Sequence, residues 1–107
     1  MITIETLCVR VSGLDRAELD RWIDNAWVLP EREGDRLLFR DIDVARVRLI
    51  RELREELRVE EDTLPVVLSL LDQLYQTRRT MRRLRDAVAA AAPDEVRQRI
   101  AAVLLEQ

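Results

Sequence analysis

Residues 28–39 of this 107-residue chain, VLPEREGDRLLF, decide the fold. The helical spacing of apolar residues found on both sides stops here, and two short stretches, VLPER and RLLF, flank Glu33-Gly34-Asp35. Gly34 can adopt a positive φ without steric cost, which suits the turn between two paired strands. We therefore predict a small β-hairpin set among helices.

Two short helices are predicted before the hairpin, because apolar residues recur there at spacings of three and four. Thr3 is suited to cap a first helix over residues 3–11, and Ser12-Gly13 supplies a turn. Asp15 and Glu18 form a capping-box pattern for a second helix, in which the Asp15 side chain would accept a hydrogen bond from the Glu18 amide. This helix should reach about residue 26 and bury Trp22 on its apolar side.

Three further helices are predicted after the hairpin. Asp41 is expected to cap the first of them, which runs to about residue 58. Its inward positions are Val44, Val47, Ile50, Leu53 and Leu57. Pro65 fits the first turn of a long helix that Pro93 stops, and a final amphipathic helix follows. The fold class is therefore mainly α, with a body over residues 1–63 and a helical packing region over residues 64–107.

The long helix carries one apolar stripe that continues into its second half in alternating steps of three and four, the heptad spacing of a seam between helices. The stripe consists of Val67, Leu70, Leu74, Thr77, Met81, Leu84 and Val88. We expect it to form a homodimer seam, although the final helix can cover part of it. The second half of the long helix also carries five arginines, at 78, 79, 82, 83 and 85. They fit two roles, contact with nucleic acid or coverage of this seam, and we favour coverage of the seam.

The composition argues against most catalytic chemistry. The chain has no His, no Lys, one Cys (Cys8) and two Ser, so it lacks a Ser-His or Cys-His nucleophile pair, a structural zinc site and an internal disulfide. Its start resembles no signal peptide, and it has no apolar run long enough to span a membrane. We expect a cytoplasmic protein that is not an enzyme and has no cofactor or metal.

The order of two short helices, a hairpin, a third helix and a long helix resembles the MerR-type winged helix-turn-helix over residues 2–90. The residues that carry this resemblance are Ile4, Leu7, Gly13, Leu19, Trp22, Val28-Leu29-Pro30 and Phe39, followed by RVRLIRELREEL. It implies a winged-helix body with a dimerisation helix. The charge departs from DNA-binding members, because residues 15–40 hold five Arg and seven acids, and Asp20 stands where a phosphate-seeking Arg is expected.

The CbpM-type chaperone modulators, which keep a MerR-like body and add a C-terminal helix, resemble this chain more closely. The matching segments are Thr3-Ile4, Leu7-Cys8-Val9, ELDRWI (18–23), VLPE (28–31), LLFRD (37–41), VRLIRELREEL (47–57), LPVVLSLLD (64–72) and MRRLRDAV (81–88). The resemblance implies that the chain binds the J-domain of a DnaJ-like co-chaperone and inhibits it. It also implies a basic J-domain helix as the surface that the chain recognises.

The charge distribution agrees with such a partner, because residues 1–64 carry eleven Arg and sixteen acids. An acidic body attracts a basic helix and speeds its encounter. Two groups of acids are candidate contacts: Glu18, Asp20 and Asp24, and then Glu52, Glu55, Glu56, Glu60, Glu61 and Asp62. Trp27 is a further candidate anchor.

Two other functions stay open from the sequence. One is a MerR-like transcriptional regulator that contacts DNA through Arg16, Arg21, Arg32, Arg36 and Arg40. The other is an adaptor for an unrelated protein partner. Binding measurements at different salt concentrations separate the first from a J-domain modulator, since affinity for DNA falls steeply with salt.

Overall fold

The computed structural model of the chain describes residues 1–106. Over these residues the chain forms five helices and three short strands. In chain order they are β1 (Ile2–Thr3), α1 (Ile4–Arg10), α2 (Arg16–Asp24), β2 (Glu31–Glu33), β3 (Arg36–Phe39), α3 (Asp41–Glu55), α4 (Leu64–Ala91) and α5 (Asp94–Leu105). The prediction of a mainly α class is confirmed. The chain divides into two compact units, Met1–Leu68 and the part from Ser69 onward.

The first unit contains a three-stranded antiparallel sheet in the order β1-β3-β2. The β2–β3 hairpin turns at Gly34, whose φ is +62°, as the sequence predicts. Glu33, which was predicted in the turn, belongs to β2 and pairs with Arg36, and β2 begins at Glu31 rather than Val28. The extra strand, β1, pairs Ile2 with Phe39 and was not predicted. Two residues are too few to show the alternation of apolar and polar side chains by which a strand is recognised.

Helix caps differ from the predicted ones in detail. The Thr3 side chain accepts from the Thr6 amide at 3.3 Å, as expected of an N-cap. The Asp15 side chain accepts from the Ala17 amide at 3.0 Å instead of the Glu18 amide. The N-cap of α3 is Arg40, one residue before the predicted Asp41.

A buried carboxylate caps the first turn of α3. Asp43 is 5% exposed, and its Oδ2 accepts from the Arg40 backbone amide at 2.9 Å and from Arg40 Nε at 3.1 Å. The side-chain hydrogen bond and the negative charge of Asp43 both raise the pKa of Arg40. This pair joins the end of β3 to the first turn of α3.

The core of the first unit is aliphatic around two aromatic side chains. Trp22 and Phe39 are almost fully buried, together with Leu7, Leu19, Val28, Val47, Ile50, Leu64 and Leu68. The prediction that Trp22 belongs to the core is confirmed. Leu57, predicted to face inward, is 66% exposed, because α3 ends at Glu55 and the chain leaves the helical path.

The end of α2 is a Schellman turn with Ala26 at the left-handed position usually taken by Gly. Ala26 has a φ of 60°, and its amide donates to the Ile23 carbonyl at 3.0 Å. The Trp27 amide donates to the Trp22 carbonyl at 2.9 Å. These two bonds fix the point where the chain leaves the helix.

The second unit consists of α5 and most of α4. α4 starts at Leu64 and ends at Ala91, close to its predicted bounds, and Pro93 is the N-cap of α5. Many apolar side chains of these helices are exposed, among them Leu84 at 65% and Leu104 at 65%. None of the helices within residues 1–106 is both long and apolar enough to cross a membrane.

We predict that Ala26→Gly stabilises the first unit. The substitution removes the steric cost of a Cβ in the left-handed region, with a net gain on the order of 0.5–1 kcal/mol after the greater freedom of Gly in the unfolded chain. Thermal unfolding followed by circular dichroism should show a higher Tm. Ala45→Gly, at an exposed interior position of α3, is the matched control and should lower stability by about 1 kcal/mol. A fall in Tm for Ala26→Gly would contradict the assignment of this turn.

Candidate functional site

An open cavity of about 530 Å³ lies in the first unit, between the end of α2 and the segment that connects α3 to α4. We call it the Trp27 cavity. Its lining consists of Asn25, Trp27, Glu61, Asp62 and Pro65. It therefore combines an indole with two carboxylates.

Trp27 is held in place through its backbone. Its amide donates to the Trp22 carbonyl, and its carbonyl accepts from Arg46 Nε at 2.8 Å. The Trp27 residue is only half-buried, whereas Trp22 is fully buried. The backbone is thus fixed from α2 and α3 while part of the residue stays open to solvent.

Arg21 links the two sides of the cavity. Its Nη2 and Nε donate to Glu61 Oε1 at 3.1 and 3.3 Å, across a sequence separation of 40 residues. Both side chains are substantially exposed, so the pair contributes less than about 1 kcal/mol to stability. Its main effect is to hold Glu61 beside α2.

The electrostatics of the cavity favour a cation. The face of an indole attracts an ammonium or guanidinium group, and carboxylates accept short hydrogen bonds from it. Asp62 is exposed, and its side chain accepts from the Thr63 hydroxyl at 3.4 Å, a long contact that leaves most of its acceptor capacity to solvent. A Lys or Arg side chain is the group that this combination fits best.

The structure links the second predicted group of acids to α2 at one point. That point is Glu61, which contacts α2 through Arg21. In the α2 group, Asp20 lies 3.6 Å from Arg16, Asp24 is exposed and Glu18 is half-buried. In the other group, Glu55 pairs with Arg51 at 3.2 Å. Glu52, Glu56 and Glu60 are exposed to solvent.

Three of the five arginines named for DNA contact are engaged by acids. Arg16 pairs with Asp20, Arg21 with Glu61 and Arg40 with Asp43. The edge strand β2 also presents two exposed acids, Glu31 and Glu33. Phosphates would have to displace carboxylates from this surface, which disfavours contact with a polyanion.

Sequence reasoning singled out Trp27, Glu61 and Asp62 but not their association, and it missed Asn25 and Pro65 as lining residues. No local pattern relates residue 25 to residue 61. The cavity arises because α2 packs its Trp22 side into the core and so brings its C-terminal end to the α3–α4 connection. Only the folded chain brings these residues together.

Comparisons with known protein families, curated proteins and solved structures found no match to this chain.

We predict that the two tryptophans differ sharply in access to solvent. Trp22→Phe leaves Trp27 as the one fluorophore excited at long wavelength, and acrylamide should quench its emission strongly. Trp27→Phe leaves the fully buried Trp22, whose emission should resist quenching. Circular dichroism confirms that each variant is folded. Equal quenching of the two variants would contradict the half-buried position of Trp27.

Proposed function

We propose that this chain is a chaperone modulator of the CbpM type, which binds the J-domain of a DnaJ-like co-chaperone and inhibits it by masking the J-domain surface. The observation that carries the proposal is the Trp27 cavity on an acidic body. The chain acts by binding and performs no catalysis.

The arrangement of the first unit supports the resemblance on which the proposal draws. Two short helices, a β-hairpin, a third helix and a long helix follow one another in the order of a MerR-like winged helix. β1 adds a third strand beside β3. In this proposal the β2–β3 hairpin is the wing.

The partner inferred from the resemblance is a basic helix, and the Trp27 cavity has the chemistry to receive one of its side chains. The indole of Trp27 supplies a cation–π surface and Asp62 supplies acceptors, while Glu61, whose Oε1 already accepts from Arg21, adds negative charge. Aromatic residues in partly enclosed sites are frequent anchors of protein interfaces. One Lys or Arg seated here would fix the register of the partner helix.

The net negative charge around the Trp27 cavity attracts the same kind of partner at long range. Residues 1–64 have a net charge of −5, from eleven Arg and sixteen acids. Such a field accelerates encounter with a cationic surface and penalises approach of a nucleic acid. With Arg16, Arg21 and Arg40 already paired to acids, the geometry favours the modulator over a DNA-binding regulator.

The resemblance also implies a dimer, and we propose that the seam residues of α4 form it. Leu70, Leu74, Met81 and Leu84 are 45–65% exposed in the single chain. Val67 and Val88 are half-buried, and Thr77 is exposed. A stripe this apolar is stabilised when a second helix covers it.

Isothermal titration calorimetry with purified J-domains tests the function. We expect saturable binding that weakens as salt rises, and no heat of binding with a random DNA duplex under the same conditions. Binding of the duplex with silent J-domains would replace the modulator with the DNA-binding alternative. If neither the J-domains nor the DNA duplex binds, the result would favour an adaptor for another protein partner.

Variants locate the docking surface. Trp27→Ala, and separately Glu61→Gln with Asp62→Asn, should each weaken J-domain binding at least tenfold, because each removes one element of the cation site. Glu31→Gln with Glu33→Gln removes the same charge from exposed residues of β2 and is the matched control, expected to change affinity about threefold or less. Equal losses in both charge variants would mean that only the overall field matters.

The α2 acids are tested by charge reversal. Asp20→Arg with Asp24→Arg should also weaken J-domain binding, since it places two cations beside the cavity. Unchanged affinity in this variant would remove α2 from the docking surface and leave the α3–α4 connection as the site.

A further inference from the structure

The second unit contains an apolar groove of about 670 Å³ between α4 and α5. Met81, Leu84 and Val88 line it from α4, and Ile100 and Leu104 line it from α5. Four of these side chains stay 40–65% exposed, so the two helices leave the groove open. Arg97 Nη1 donates to the Ala89 carbonyl at 3.2 Å and ties α5 to α4 at the closed end, near the turn between them.

We propose that this groove receives α4 of a second copy of the chain, running antiparallel, with Leu70 and Leu74 of one copy seated between α4 and α5 of the other. The inference rests on the proposed dimer and assigns α5 a part in it. Each copy has both a ridge, formed by Leu70 and Leu74, and a groove. A single two-fold axis therefore places each ridge in the groove of the other copy.

The spacing of the seam suits an antiparallel pair centred on Thr77. Leu70 and Leu84 lie seven residues to either side of Thr77, and Leu74 and Met81 lie three and four residues away. An antiparallel pairing at this centre therefore places Leu70 opposite Leu84 of the other copy, and Leu74 opposite Thr80, next to Met81. Met81 and Leu84 are the residues that open the groove.

The charges of α4 favour the same direction. Its first half, residues 64–77, carries no Arg and one acid, Asp72, whereas residues 78–86 carry five Arg and one acid, Asp86. A parallel pair would bring the two arginine clusters side by side. An antiparallel pair places each cluster beside the arginine-free half of the other helix, which removes that repulsion.

The exposed apolar area is what a stable dimer needs. The side chains that form the ridge and the groove are 40–65% exposed: Leu70, Leu74, Met81, Leu84, Ile100 and Leu104. Together they present on the order of 600 Å² of apolar surface, at the upper end of the largest patch on a typical monomer. Each partner in a standard interface buries roughly 800 Å².

Sedimentation equilibrium of the full chain tests the assignment of α5. The unmodified chain should be a dimer, and Ile100→Glu with Leu104→Glu should raise the dimer dissociation constant at least a hundredfold. Leu105→Glu, at a position on α5 that is 85% exposed and outside the groove, is the matched control and should leave the constant within threefold. Leu74→Asp tests the contribution of the α4 stripe and should also dissociate the dimer.

The outcomes separate the proposals. A dimer that Leu74→Asp breaks but the α5 variant leaves intact would keep the seam and overturn the groove. A monomeric unmodified chain would overturn both, whatever the result with J-domains.

Disulfide trapping gives a second measurement that does not depend on the α5 variant being folded. In a Cys8→Ala background, Thr77→Cys should crosslink to itself across the two-fold axis. Leu70→Cys should not, because its two copies would lie about 21 Å apart along the helix axis. A mixture of Leu74→Cys and Leu104→Cys chains should form the mixed disulfide, because this register brings Leu74 of one copy to the level of Leu104 of the other. Self-crosslinking of Leu70→Cys, or failure of the mixture, would overturn the inference.

Discussion

The first unit depends on the burial of Trp22. Its side chain is fully enclosed, and its carbonyl accepts from the amides of Trp27 and Val28 at 2.9 and 3.3 Å, so one residue both fills the core and ends α2. Among residues 1–106, its indole Nε1 is the buried side-chain polar atom without a hydrogen-bond partner, a cost of about 1–3 kcal/mol. The apolar area of the ring offsets that cost. Because Trp22 is fixed in the core, the backbone that follows it places Trp27 at the surface.

The two units use opposite surface chemistry. The first encloses an apolar core around Trp22 and carries an excess of acids, with Glu61 and Asp62 beside an indole. The second presents apolar side chains flanked by arginines on α4. A surface of the first kind recognises a charged partner with fast exchange, whereas the second kind buries area in a lasting association. The proposed modulator therefore binds its target with one unit and itself with the other.

Much of the architecture could be predicted because its signals are local. The β2–β3 hairpin is marked by Gly34, the long helix by Pro65 and Pro93, and the core position of Trp22 by helical spacing. β1 could not be predicted, since its pairing with β3 depends on residues 37 positions away. The same holds for the Trp27 cavity, where Arg21 meets Glu61. Leu57 fits the helical spacing of apolar residues in the sequence, but α3 already ends at Glu55.

The pairing of Ile2 with Phe39 bears on the order in which the elements of the first unit form. Helices α1, α2 and α3 and the β2–β3 hairpin need only nearby residues to form, but β1 joins the sheet only after the chain has closed a loop over two helices. Closing such a loop costs conformational entropy before the new contacts repay it, and pairings of this kind are formed late in folding. The pairing of β1 with β3 therefore completes the three-stranded sheet across the longest sequence separation within that sheet.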